Sequence, residues 1–192
     1  MQNEIWYPAD KNVLPSEQKQ FSAGIEGPLF HGFVNGRMNV YYKEMSQLAT
    51  YPEGYTPIAG DVTWESKIIT GGTGRSYGIE CSLEKQVGAW KGQIAYTYSR
   101  TTRRYDDING GESYVYEFDR PHIGNLSLQY QLNENIGFSL LWKVQSGLPY
   151  TPAIGRQYTI NPNAEPDDNR YYEALIYGER NSKRMKTYHR LD

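Results

Sequence analysis

The chain has 192 residues, enough for one domain, with 20 Lys+Arg against 22 Asp+Glu and a formal charge of −2. That balance excludes the basic surface expected of a nucleic-acid-binding protein. No run of about 18 apolar residues occurs, which excludes a transmembrane helix but not membrane-crossing strands, whose apolar half is hidden by alternation.

In chain order, residues 1–17 are polar and read as a loop. Residues 1–10, MQNEIWYPAD, carry neither the basic nor the apolar stretch of an export signal. The chain is therefore expected to be either unexported or part of a longer protein. Residues 18–27 alternate, with Phe21, Ala23 and Ile25 set against Gln20, Ser22, Gly24 and Glu26, and form the first expected strand. A second is expected over 33–47, followed by a long link at 48–67 rich in Pro, Gly and Tyr. A third covers 68–86, where Tyr77, Ile79, Cys81 and Leu83 alternate with Gly78, Glu80, Ser82 and Glu84. A tight link leads to a fourth over 91–103, then a medium link at 104–112. A fifth is expected over 113–132. A turn at 133–135, with Asn and Glu between two alternating runs, leads to a sixth over 136–150. A polar link, 151–185, precedes Tyr188–Asp192, which reads as the start of another strand.

These links run short, long, short, medium, short, very long, so the short turns lie at one end and the long loops at the other. Structureless links of 20–35 residues are uncommon in compact domains. The expected third and fifth strands are far longer than the usual five or six residues. Both traits fit outer-membrane β-barrels, with short periplasmic turns and long extracellular loops. The polar face of each strand carries Gln, Ser, Asn, Glu and Thr, suited to water. The 18 tyrosines, with 4 Trp and 5 Phe, suit strands in general and membrane–water interfaces in particular. The fold class is thus all-β: an antiparallel up-and-down meander of about six long strands, an incomplete segment of a transmembrane barrel. An unclosed sheet in lipid would leave unpaired backbone groups at its edges, so the remainder of a barrel is an expected partner.

Few constellations carry chemistry. Cys81 is the single cysteine and lies on the apolar face of its strand, where it reads as a small hydrophobe. The run Gly71-Gly72-Thr73-Gly74 lacks the Lys-Ser/Thr of a phosphate loop and opens a strand rather than a helix. His31, His122 and His189 are far apart, so no metal site is expected, with Asp106, Asp107 and Glu112 the alternative as a loop Ca²⁺ site. No nucleophile–base pair or paired carboxylates appear, no cofactor is implied, and the chain is read as not an enzyme. Asp119-Arg120 beside Pro121-His122 reads as a rim where a strand leaves the membrane, with Arg120 pairing to neighbouring carboxylates. Loop aromatics and arginines are the candidate ligand-binding residues: Trp64, Tyr150, Arg156, Tyr158, Arg170, Tyr171 and Tyr172. The same side chains could equally pack the loop upon itself.

Five runs carry a family resemblance: Gly74-Arg75-Ser76-Tyr77-Gly78-Ile79-Glu80, Tyr96-Thr97-Tyr98-Ser99-Arg100, Phe118-Asp119-Arg120-Pro121-His122, Ser146-Gly147-Leu148-Pro149-Tyr150-Thr151, and Arg180 through Asp192. In this order, at strand ends, they resemble the C-terminal barrel half of TonB-dependent outer-membrane receptors, in the Bacteroidetes style. The last run departs at Lys186, where proline is expected. The resemblance covers the chain from about residue 18. It implies a 22-stranded barrel around an N-terminal plug domain, in the outer membrane of a Gram-negative bacterium. It also implies active uptake of an iron chelate, cobalamin or a glycan, energised through TonB. The expected partners are then membrane lipid, the rest of the barrel and its plug, TonB and the nutrient. The alternative from a different class is a soluble β-sandwich carbohydrate-binding module.

Overall fold

The computed structural model describes residues 9–55, 64–160 and 171–192. β1 (Glu17–Leu29) and β2 (Val34–Thr50) are joined by a 3-10 turn in which Phe30, His31 and Gly32 take φ of 49°, 59° and 88°. There follow β3 (Ile69–Lys85), β4 (Trp90–Arg104), β5 (Tyr114–Val115), β6 (His122–Gln131) and β7 (Gly137–Gln145). Next come β8 (Pro149–Tyr150), β9 (Ala153–Ile160), β10 (Tyr171–Tyr177), β11 (Lys183–Arg184) and β12 (Tyr188–Leu191). One antiparallel sheet runs β1-β2-β3-β4-β6-β7-β12, with β5 also on β4. β9 and β10 form a separate hairpin, and β8 pairs with β11. Consecutive wall strands pair throughout, so it is a meander whose first and last strands, β1 and β12, each pair on one side only among the described residues.

Directly opposite residues in an antiparallel ladder share a face, so the register defines both sides of the sheet. One row runs Gly36, Leu83, Ile94, Leu126, Trp142, Leu191. The next on that face runs Ile25, Met38, Cys81, Tyr96, Gly124, Val144. The opposite face carries Glu26, Arg37, Ser82, Ala95, Asn125, Lys143 and Arg190 in a single row. Glu26 and Arg37 close an ion pair there at 3.0 Å. The apolar face is bounded by two aromatic rows. At the short-turn end lie Trp90, Tyr130 and Phe138, with the first two rings stacked at 4.4 Å. At the other end lie Phe21, Tyr42 and Tyr77, with Arg100 opposite Tyr77. From Trp90 to Arg100 is about 33 Å along the strand, which a tilt of ~40° reduces to ~25 Å in height, the thickness of an outer-membrane barrel's apolar band.

This face is unpacked. Ile25 is 75% exposed and Phe138 61%. Among the described residues the buried hydrophobic side chains are Leu48, Tyr105, Ile108 and Tyr114, all at the long-loop end. No second sheet covers either face of the wall among the described residues, which departs from the sandwich alternative.

The fifth strand, expected unbroken over 113–132, is interrupted. β4 pairs Thr102 with Val115 and Tyr98 with His122, so a seven-residue step along one strand faces a four-residue step along the other. The excess forms a turn, closed by Asp119 N donating to Tyr116 O at 2.9 Å. Its flanks still bond β4: Tyr116 N donates to Thr101 O, and Ser99 N to Pro121 O. Pro121 has no N–H for the ladder, which suits it to a bulge. The link 151–185, expected to be a loop, contains the β9–β10 hairpin and β11. The strand expected from Tyr188 pairs with β7 as β12.

Candidate functional site

The long-loop end is built upon the bulge. Asp119 has a fully buried carboxylate, and desolvated charge persists only where it is paired and hydrogen-bonded. Its Oδ1 accepts from Thr101 N at 2.7 Å, and its Oδ2 accepts from Arg100 Nη1 at 3.2 Å and Arg184 Nη2 at 2.7 Å. Arg184 Nη1 donates to the carbonyls of Asp119 (2.7 Å) and Gly147 (2.8 Å). One guanidinium therefore ties the bulge to the end of β7 and to β11. Gly147 is required at this joint, since a Cβ there would stand 2.1 Å from the Met185 carbonyl oxygen.

A second arginine repeats the device four residues earlier. Arg180 donates from Nη1 to Tyr51 O at 2.8 Å and from Nη2 to Thr50 Oγ1 at 3.3 Å, and pairs with Glu53 at 3.3 Å. Its backbone N donates to Asn109 Oδ1 at 2.9 Å. Asn181, at φ 55°, donates from Nδ2 to Val115 O at 2.8 Å, and its N–H reaches Thr151 Oγ1 at 3.1 Å. Asparagine tolerates this left-handed backbone better than most residues. Residues 180–184 thus touch the β2–β3 loop, the β4–β6 loop and the end of β7.

Beneath this lies the small apolar core, with Met45 and Ile69 against Leu48, Tyr105, Ile108 and Tyr114. Met45, Gly72, Gly74 and Tyr105 have the parity of the polar face, so the loops pack over that side of the wall. Gly72 is what lets the Tyr105 ring lie flat, because a Cβ there would meet it at 2.2 Å. Burial pushes the Tyr105 phenol up to about 12, only partly opposed by the Arg103 cation. Burial also raises Tyr114 and Tyr116. The Arg103 guanidinium sits 3.6 Å over the Tyr116 ring. Arg103 Nε and the Tyr105 hydroxyl are buried without hydrogen-bond partners among the described residues.

The β9–β10 hairpin stands on this base. Gly178 N donates to Pro152 O at 2.9 Å to close it. Tyr158 faces Glu173 and Arg156 faces Leu175, so Ile154, Arg156, Tyr158, Glu173 and Leu175 share one side. Arg156 Nη1 pairs with Glu173 at 2.8 Å, while Tyr158 is 75% exposed.

Of the expected ligand residues, Arg156 and Tyr158 come together on that face. Tyr171 and Tyr172 lie on β10 by register, opposite Ile160 and Thr159. Tyr150 is apart at the hairpin's base, paired with Lys183 in the ladder. Trp64 opens the 3-10 turn Trp64–Lys67 on another loop. Arg170 lies outside the described residues, as do the side chains of Trp64, Tyr171 and Tyr172. The ion pair expected at Arg120 falls instead to Asp119; Arg120 contributes its carbonyl, which accepts from Ser99 Oγ at 3.3 Å. Sequence reading missed Arg180, Asn181 and Arg184 as rim residues. The signal available was an Arg-Asn pair at a turn, with a second arginine four residues on.

A meander with one apolar and one polar face, girdled by aromatics and bearing its loops at one end, is a wall segment of an outer-membrane barrel. The family model for the TonB dependent receptor-like β-barrel matches residues 3–192, and the chain belongs to that family. No curated protein sequence matches it. Among solved structures it is similar to the ferripyoverdine receptor of the outer membrane of Pseudomonas aeruginosa, with a TM-score of 0.55 and 16% identity. That match covers 100% of this chain and 23% of the receptor, so the chain spans about a quarter of its structural relative. Receptors of this family are transporters of the Gram-negative outer membrane, and their apolar face meets lipid.

Proposed function

We propose that the chain forms part of the wall of a receptor for active nutrient uptake, coupled through TonB and carrying out no chemistry on its cargo. The cargo proposed is an iron chelate, cobalamin or a glycan. Recognition is assigned to the long-loop end, and first to the hairpin face carrying Arg156 and Tyr158. The observation that supports this is their placement: a cation and an exposed aromatic stand on a hairpin held away from the wall by a buried polar base. Loops on a rigid scaffold are where binding residues concentrate. Tyr150, Trp64, Tyr171 and Tyr172 remain proposed contacts on the same end, and Arg170, outside the described residues, remains a proposed contact. The wall's polar face is proposed to meet the plug.

The test replaces residues 154–176 by a short Gly-Ser linker in the intact receptor. Uptake should be measured in cells that depend on this receptor for growth on iron chelates, cobalamin or glycans. The expected result is loss of uptake with a barrel that still assembles, judged by its heat-modifiable migration. Unchanged uptake would remove the hairpin from recognition.

A further inference from the structure

We infer that residues 178–184 act as a clasp that sets the direction of the β9–β10 hairpin, with Asp119 and Arg184 as its positioning residues. The inference rests on the hairpin's proposed role in recognition, but its mechanics stand apart from any ligand. Three observations carry it. The hairpin leaves the wall at Pro152 and returns at Gly178, and the returning strand is at once moored at both ends of a short stretch. Arg180 and Asn181 hold Tyr51, Thr50, Glu53, Asn109, Val115 and Thr151. Arg184 holds Asp119 and Gly147. These groups come from three separate connections between wall strands, so the described parts of these connections cannot turn without breaking bonds to the clasp.

The second observation is burial. The Asp119 carboxylate is fully desolvated, so losing Arg184 would leave it with Arg100 and one backbone N–H. A buried carboxylate resists that state, which favours one fixed arrangement over several loose ones. The third is where the hairpin rests. Tyr177, its last residue, is the neighbour a Cβ on Gly54 would meet at 2.8 Å, so the hairpin base lies against the β2–β3 loop. The hairpin and its base are therefore one body with two moorings. The clasp orients Arg156 and Tyr158 without touching what they bind.

The test is a pair of distances in the intact receptor, with Cys81→Ala removing the native thiol and any thiol outside residues 1–192 replaced in the same way. Spin labels at positions 158 and 134 report the hairpin against the short-turn end of the wall. Labels at 20 and 134 report β1 against the same turn as a control, since Gln20 lies on a strand that the clasp does not touch. The clasp predicts one narrow 158–134 distribution. In Arg184→Gln it should widen about twofold or shift to a new maximum, with partial recovery in Arg184→Lys and little change at 20–134. Arg180→Gln combined with Asn181→Ala should loosen the same distance while leaving Asp119–Arg100 in place, and serves if Arg184→Gln fails to assemble. An unchanged 158–134 distance in the assembling variants would overturn the clasp. Equal broadening of both distances would also overturn it, since that marks general loosening. A loosened hairpin with unaltered uptake would leave the clasp standing and instead count against the hairpin's role in recognition.

Discussion

The wall and the rim are held together by opposite means. In the wall, strands of up to 17 residues hold one another through backbone ladders, while the apolar side chains point outward and stay exposed. In the rim, regular strands are as short as two residues, and side chains supply the cohesion through buried carboxylate, guanidinium and phenol groups. Among the described residues the wall shows no core of its own, as expected of a barrel segment whose apolar side meets lipid, where every backbone group must be bonded internally. The rim stands in water and must exclude it locally to become rigid. Change to a wall side chain is therefore felt as a transfer cost into the bilayer, and change to a rim side chain as loss of packing or pairing.

The largest expected effect lies in the wall. Leu126 is in the row of Leu83, Ile94 and Trp142, about halfway between the aromatic girdles. Leu126→Arg should destabilise the intact barrel by about 2–4 kcal/mol, with Ser127→Arg on the other face far milder. Unfolding in urea from lipid vesicles gives both values. Equal costs would contradict the assignment of faces.

In the rim, Asp119→Ala strips a buried partner from Arg100 and Arg184. A local cost of about 2–3 kcal/mol is expected. Hydrogen exchange should show it as faster exchange at 109–119 and 178–185, with β1 through β3 unaffected below the Gly72 level. Acceleration spread evenly over the wall would contradict the division between the two regions.

Gly72→Ala places a methyl group inside the Tyr105 ring contact and should cost about 1–3 kcal/mol through displacement of that ring. Gly27→Ala is its control, because no atom lies within 4 Å of a Cβ there. Near-ultraviolet circular dichroism of the rim tyrosines reports the difference.

The smallest effect concerns pH. The Tyr105 phenol is raised from 10.0 to about 12 in the folded protein. The folded state therefore binds the phenolic proton more tightly than the unfolded chain, so the contribution is complete below pH ~10 and is lost as pH climbs through about 12. Tyr105→Phe should flatten that alkaline loss in a pH series of rim exchange rates. At neutral pH it should cost little, since the buried hydroxyl has no partner among the described residues.

How much of this was legible in the chain follows the same division. The wall was legible because a half-buried strand writes its two faces as alternation, and Tyr77 to Glu84 or Leu126 to Leu132 need no tertiary information. The rim was not. The Asp119 bulge arises from a mismatch of residue counts between two strands, which appears only when their register is known. The β9–β10 hairpin reads as a loop in sequence because its shared face mixes Ile154, Arg156, Tyr158, Glu173 and Leu175, so no apolar period marks it. Arg180 and Arg184 are ordinary polar residues until three distant loops converge on them. Of the candidate ligand residues, Arg156 and Tyr158 fell on one face, whereas Tyr150 and Trp64 belong to other segments.

Cys81 lies in the row of Met38 and Tyr96, midway up the outward face, as the chain's only thiol. That position makes it a built-in chemical reporter of membrane insertion. In an assembled barrel a charged, water-soluble maleimide should be shut out from it, and a small lipophilic one should also add slowly, because the addition needs water to take up the thiol proton. In an unassembled chain both should react fast, so the fall in labelling rate counts how much of the wall has entered the bilayer.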